Sequence, residues 1–187
     1  MKKLAVLFCI LFLSSISFAG FIVDDFWCAF PDDPGQTFHE WDFSYDAGRE
    51  DPYELTLAEN LSTLGIDQVV MSGNTDEDPI YRTIKLVTNE STVAWTSYEL
   101  TLSAGPVIFT GVPSSDLFSS AVISNGGLKI TFSGGVVNPT DEVMLSFKIL
   151  VPTTGAFSVC LTQNPIPEPA TMGLLSLGAL AFIRRRK

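Results

Sequence analysis

The chain has 187 residues, 21 of them acidic and 11 basic, for a formal net charge of −10. Most of the basic residues crowd the two ends, so residues 24–168 hold 5 basic side chains (Arg49, Arg82, Lys85, Lys129 and Lys148) against 21 acidic ones, a net of 5 minus 21, or −16. A surface that acidic repels nucleic acid and anionic lipid headgroups, and no nucleic-acid partner is expected.

The chain opens with Met1-Lys2-Lys3, continues through an apolar run over residues 4–13, and exits through Ser14-Ser15-Ile16-Ser17-Phe18-Ala19. A basic start, a short apolar helix and small residues at Ser17 and Ala19 are the layout of a secretory signal peptide over residues 1–19. Signal peptidase is expected to cut between Ala19 and Gly20. Cys9 lies in mid-run beside Phe8 and Ile10 rather than just after small residues, which argues against a lipoprotein.

Residues 20–164 are long enough for one domain with a substantial core. Apolar and polar residues alternate in Trp41-Asp42-Phe43-Ser44-Tyr45, Tyr53-Glu54-Leu55-Thr56-Leu57 and Tyr98-Glu99-Leu100-Thr101-Leu102. The same period of two recurs over residues 128–132, 143–151 and 157–161. It is the mark of half-buried antiparallel strands. Turn residues separate them at 31–35, 72–74, 125–127, 134–135 and 138–139. Asn125-Gly126, set between two strand-like runs, predicts a hairpin. Residues 57–64 leave room for a turn or two of helix. The expected fold is all-β: an antiparallel β-sandwich, jelly-roll-like in one form, flanked by the signal helix and a C-terminal hydrophobic helix.

Once the signal segment is removed, Cys28 and Cys160 remain, an even pair in an oxidising compartment. Two readings stand: a disulfide tying the first strand to the last, or two independent thiols. Cys160 alternates with Phe157, Val159 and Leu161, which places it on the opposite, solvent-side face and counts against the bridge, but the even pair in an oxidising compartment keeps the Cys28–Cys160 disulfide as the expected reading.

Chemistry-bearing motifs are sparse. His39 is the only histidine, and neither Gly-x-Ser-x-Gly nor His-Glu-x-x-His occurs. The body is therefore expected to be non-catalytic, with no cofactor and no dedicated metal site. The acidic pairs Asp24-Asp25, Asp32-Asp33, Glu50-Asp51 and Asp141-Glu142 and the triplet Asp76-Glu77-Asp78 offer weak calcium binding, without the spacing of a built loop. Phe26, Trp27, Phe30, Trp41, Phe43, Tyr45, Tyr81, Trp95 and Tyr98 are expected mainly to fill the core; the other use is a sugar-stacking platform.

The chain closes on Pro165-Ile166-Pro167-Glu168-Pro169, an apolar stretch over residues 172–183, and Arg184-Arg185-Arg186-Lys187. Prolines block regular hydrogen bonding, so the first part reads as an extended, accessible linker. As a helix the apolar stretch reaches about 20 Å, short of the roughly 30 Å hydrocarbon core, and it spans only with snorkelling or thinning. The basic end then stays on the cytoplasmic side and leaves the body outside. Residues 165–187, with Pro167, Glu168 and Pro169 as the motif, resemble the PEP-CTERM sorting signal of exported bacterial proteins. That resemblance implies an exosortase that cuts near the tripeptide, with the membrane as a transient partner through the C-terminal helix before processing. The implied role is a non-catalytic structural or binding protein of the cell surface or extracellular matrix, with exopolysaccharide as a candidate partner. The competing reading is a secreted carbohydrate-binding module or carbohydrate-active enzyme.

Overall fold

The computed structural model describes residues 27–29, 36–46, 48–50, 52–64, 66–75, 80–151 and 155–168. The signal segment, the Ala19–Gly20 cleavage site, Pro169 and the apolar stretch at 172–183 lie outside the described residues, and with them the segments expected to form the two flanking helices.

The described residues form strands β1 (Trp27–Ala29), β2 (Gln36–Tyr45), β3 (Tyr53–Leu61), β4 (Asp67–Thr75), β5 (Ile80–Asn89) and β6 (Trp95–Leu102). These are followed by β7 (Ile108–Ser115), β8 (Ser120–Ser124), β9 (Lys129–Val137), β10 (Glu142–Leu150) and β11 (Gly155–Pro167). One sheet runs β1-β4-β11-β6-β9-β8 and the other β2-β3-β5-β10-β7. In β3 and β5 burial alternates strictly along the strand, as the sequence periodicity requires of a sheet with one wet face.

Two inner faces meet in a single core. Trp95, Tyr98, Leu100, Phe132 and Leu161 from the six-stranded sheet pack with Leu55, Leu57, Val87, Leu145 and Phe147 from the other. The Tyr81 and Phe157 rings, one from each sheet, have centroids 6.3 Å apart. The all-β expectation holds. Not every pair is antiparallel, however: β3 and β5 run parallel. The cause is the path of the chain, which leaves β3, crosses to the other sheet as β4 and returns beside β3 in the original direction. Here a strand, rather than a helix, makes the crossover that a parallel pair needs. A jelly roll is built from eight antiparallel strands, and this pairing departs from that pattern.

Local turn readings fare unevenly. The Asn125-Gly126 hairpin is present between β8 and β9, with Asn125, Gly126 and Gly127 all at positive φ. The turn at 138–139 is closed by the Asp141 amide on the Asn138 carbonyl at 3.0 Å. By contrast, residues 57–61 belong to β3 rather than to a helix, and residues 72–74 continue β4. Gly134-Gly135 lies inside β9, where the pairing with β6 shifts register between Trp95 and Ser97. The glycines there serve a bulge over which another segment crosses.

Candidate functional site

The C-terminal motif is anchored in the sheet. Strand β11 pairs with β4 only as far as Gln163, opposite Asp67, whereas its pairing with β6 continues through Pro165 opposite Tyr98, Ile166 opposite Ser97 and Pro167 opposite Trp95. Past Gln163 it is therefore an edge, the one place in a sheet where prolines without an N–H are tolerated. Pro165 is buried, and the Glu168 amide donates to the Ala94 carbonyl at 3.1 Å. The segment expected to be a free linker from residue 165 is extended but docked through Glu168, and the boundary drawn at 164/165 falls inside a strand.

Residues 165–187 match the family model described as PEP-CTERM protein-sorting motif. No curated protein matches the chain. The PEP-CTERM motif marks an exported protein that an exosortase sorts. The matched segment begins inside the final strand, so the folded body and the sorting motif share one continuous backbone segment.

The other residues singled out in the sequence are scattered. Cys28 stands opposite Met71 and Cys160 opposite Val70, with β4 running between their strands. Strands lie about 4.8 Å apart, so the two Cα positions are roughly 10 Å apart, beyond the ~7 Å a disulfide can bridge. Cys160 carries a free, half-buried thiol, and this register does not bring the two cysteines together. His39 is exposed on β2. Asp24, Asp25, Asp32, Asp33, Asp51 and Asp76–Asp78 lie outside the described residues, while Asp141 caps the turn before β10 by accepting from the Asn138 amide and side chain, each at 2.9 Å. Among the described residues no group of three or more His, Cys, Asp or Glu side chains is placed to hold a metal ion. Of the aromatics, Tyr81, Trp95 and Tyr98 are buried and Trp41 and Phe43 pack on the core. Tyr45 is exposed, its ring 5.1 Å from that of Tyr53.

A second constellation escaped the sequence reading. Glu59 (β3), Asp67 (β4), Lys85 (β5), Tyr98 (β6) and Gln163 (β11) form a polar cluster inside the sandwich, all of them buried. Lys85 Nζ pairs with Glu59 Oε1, a contact in which both side chains are 0 % exposed. Gln163 Nε2 donates to Glu59 Oε2 and to Asp67 Oδ2, and Tyr98 Oη donates to Gln163 Oε1 at 2.7 Å. The second Asp67 oxygen accepts the Gln68 amide at 2.8 Å. Buried polar groups persist only when they are partnered, and these partner one another across the two sheets. Burial holds the Tyr98 hydroxyl far above its ordinary range, with the charges of Glu59 and Asp67 adding to it, so it remains a donor.

Burial also raises the Asp67 carboxyl above its ordinary value of 3.8; the Glu59 charge adds to the rise, while the Gln68 amide, Gln163 and Lys85 oppose it. A carboxyl raised on folding binds its proton more tightly in the native than in the unfolded chain. Its contribution to stability is complete below the unfolded value near 3.9 and is lost as pH rises through the folded one. The unfolding free energy of the native chain minus that of Asp67→Asn is therefore expected to fall as pH rises from about 4. Urea titrations across that range measure it. A difference that grows with pH would show that the fold prefers Asp67 ionised.

Proposed function

We propose that the protein is a component of the cell surface or extracellular matrix whose β-sandwich body acts as a non-catalytic structural or binding domain, delivered there by its tail. The single observation that carries this reading is the PEP-CTERM match at residues 165–187, placed at the end of the last strand. Signal peptidase acts at Ala19–Gly20, the short apolar helix holds the chain in the membrane, and exosortase cuts near Pro167-Glu168-Pro169. Because Pro167 and Glu168 are docked on β6, the cut falls at or just beyond the rim of the sandwich and leaves the body intact.

The body's charge suits this role. Arg49 and Arg82 both bind Glu54 Oε2, at 2.8 and 2.9 Å, Lys85 is taken by Glu59, and Lys129 binds Glu99 at 2.7 Å. Cations are thus matched to acidic partners while most of the described carboxylates are exposed, which favours solubility and weak calcium association over binding of polyanions. Protein recovered from the native host is expected to start at Gly20 and to lack residues 184–187, and changes at 167–169 should block the second cut. Mass spectrometry of both termini reads this directly; an intact C-terminus in a host that carries an exosortase counts against it. The exposed Tyr45, its ring against that of Tyr53, supports the second reading, a carbohydrate-binding module or carbohydrate-active enzyme. Glycan binding lost in Tyr45→Ala, or glycan hydrolysis by the native chain, would favour it.

A further inference from the structure

The buried cluster holds a primary amine, a carboxamide and a carboxylate that touches both. Lys85 arrives from one sheet and Gln163 from the other, and they bind the two oxygens of the same Glu59 side chain. Amine and carboxamide are therefore neighbours in a site where Lys85, Gln163 and Tyr98 are each 0 % exposed. Gln163 is also oriented: Tyr98 fixes its oxygen, while Glu59 and Asp67 fix its nitrogen. His39 stands opposite Glu59 in the β2–β3 register but is exposed.

We propose that Lys85 and Gln163 join in an intramolecular amide cross-link between the two sheets, formed by transamidation inside the folded body. Glu59 takes a proton from Lys85 Nζ, and the neutral amine attacks Gln163 Cδ. The carbonyl electron pair moves onto Oε1, where the Tyr98 hydroxyl stabilises it. Glu59 passes the first proton to Nε2 and takes a second from Nζ. The Cδ–Nε2 bond then breaks, the second proton follows the departing nitrogen, and ammonium leaves. The products are one Lys85–Gln163 amide and one ammonium ion, Glu59 ends as the carboxylate it began as, and no oxidant or co-reactant is consumed. Fixed juxtaposition supplies the rate that an amide otherwise lacks, since well-oriented intramolecular groups reach effective molarities of about 10⁵ M or more. Exclusion of water protects the product from hydrolysis. Strand β11 runs directly into the sorting motif, so a link from Gln163 to β5 ties the strand that bears the surface tether to the opposite sheet.

A tryptic peptide map of the purified full-length chain tests this. The expected result is a branched species containing Lys85 and Gln163, lighter than its two parts by one ammonia, with Lys85 resistant to trypsin. Cleavage after Lys85 with both residues in separate, unmodified peptides overturns the proposal, and so does a Lys85–Glu59 link formed with loss of water. Glu59→Gln, which cannot relay a proton, should retain the β-sheet circular dichroism and lower the rate of linkage about 100-fold or more. Tyr98→Phe keeps the ring, removes the oxyanion donor and should slow linkage by roughly 100-fold. Linkage at the native rate in a folded variant of either kind overturns the mechanism.

Discussion

Relative to an unlinked Lys85→Arg chain, which keeps the charge, Lys85→Met is expected to lower the unfolding free energy by about 3–5 kcal/mol, the usual cost of removing one partner from a buried ion pair. Lys85 Nζ and the Glu59 carboxylate have no exposed surface, so water cannot take the place of the lost ammonium. The remaining partners of Glu59, above all Gln163, satisfy its hydrogen bonding but not its charge. The double variant Lys85→Met with Glu59→Gln should recover the part of the loss that comes from the stranded charge, because a buried ion pair replaced as a unit costs far less than one broken in half. Lys85→Arg separates charge from nucleophile: it keeps the positive charge but its guanidinium is not acylated by Gln163. A cross-link closing the chain between residues 85 and 163 adds roughly 4 kcal/mol in the loop-closure model, and that is the term Lys85→Arg should lose. Denaturant unfolding of the three variants reads each quantity. A Lys85→Met protein within 1 kcal/mol of Lys85→Arg would show that the pair contributes little.

Gly135→Ala is expected to cost about 3 kcal/mol, at the upper end of what overpacking imposes. A Cβ at this position would lie 2.0 Å from the Leu117 carbonyl oxygen and 2.9 Å from its carbon, and both are backbone atoms that cannot rotate away. The segment between β7 and β8 crosses β9 here, with Ser119 Oγ donating to the Gly134 carbonyl at 2.8 Å and Phe118 inserted against Phe132. Relief would require lifting Phe118 from the core. Gly105→Ala provides the contrast, since a Cβ there meets nothing within 4 Å. It should change stability by no more than about 0.5 kcal/mol. Thermal or denaturant melts of the pair decide whether close approach, rather than glycine content, sets the cost.

The sorting tail could be read from residues 165–187 because its chemistry is linear: a proline motif, an apolar stretch and a basic end act in sequence order and need no tertiary partner. The all-β class was equally legible, since alternation along Tyr53–Leu57 or Tyr98–Leu102 is a property of each segment alone. The sign of the body's charge follows by counting. The buried cluster left only a faint trace: Glu59 shares the parity of Leu57 and Leu61, Lys85 that of Val87, Asp67 that of Val69 and Met71, and Gln163 that of Val159 and Leu161. A helical reading of residues 57–64 hid the first of these. What no local pattern contains is which strand lies beside which. Pairing of β3 with β5, the passage of β4 between β1 and β11, and the meeting of Lys85 with Gln163 across the sandwich depend on contacts between residues far apart in the chain. Period two specifies a buried face but not the face it is buried against, and that choice was left to the packing of the two sheets.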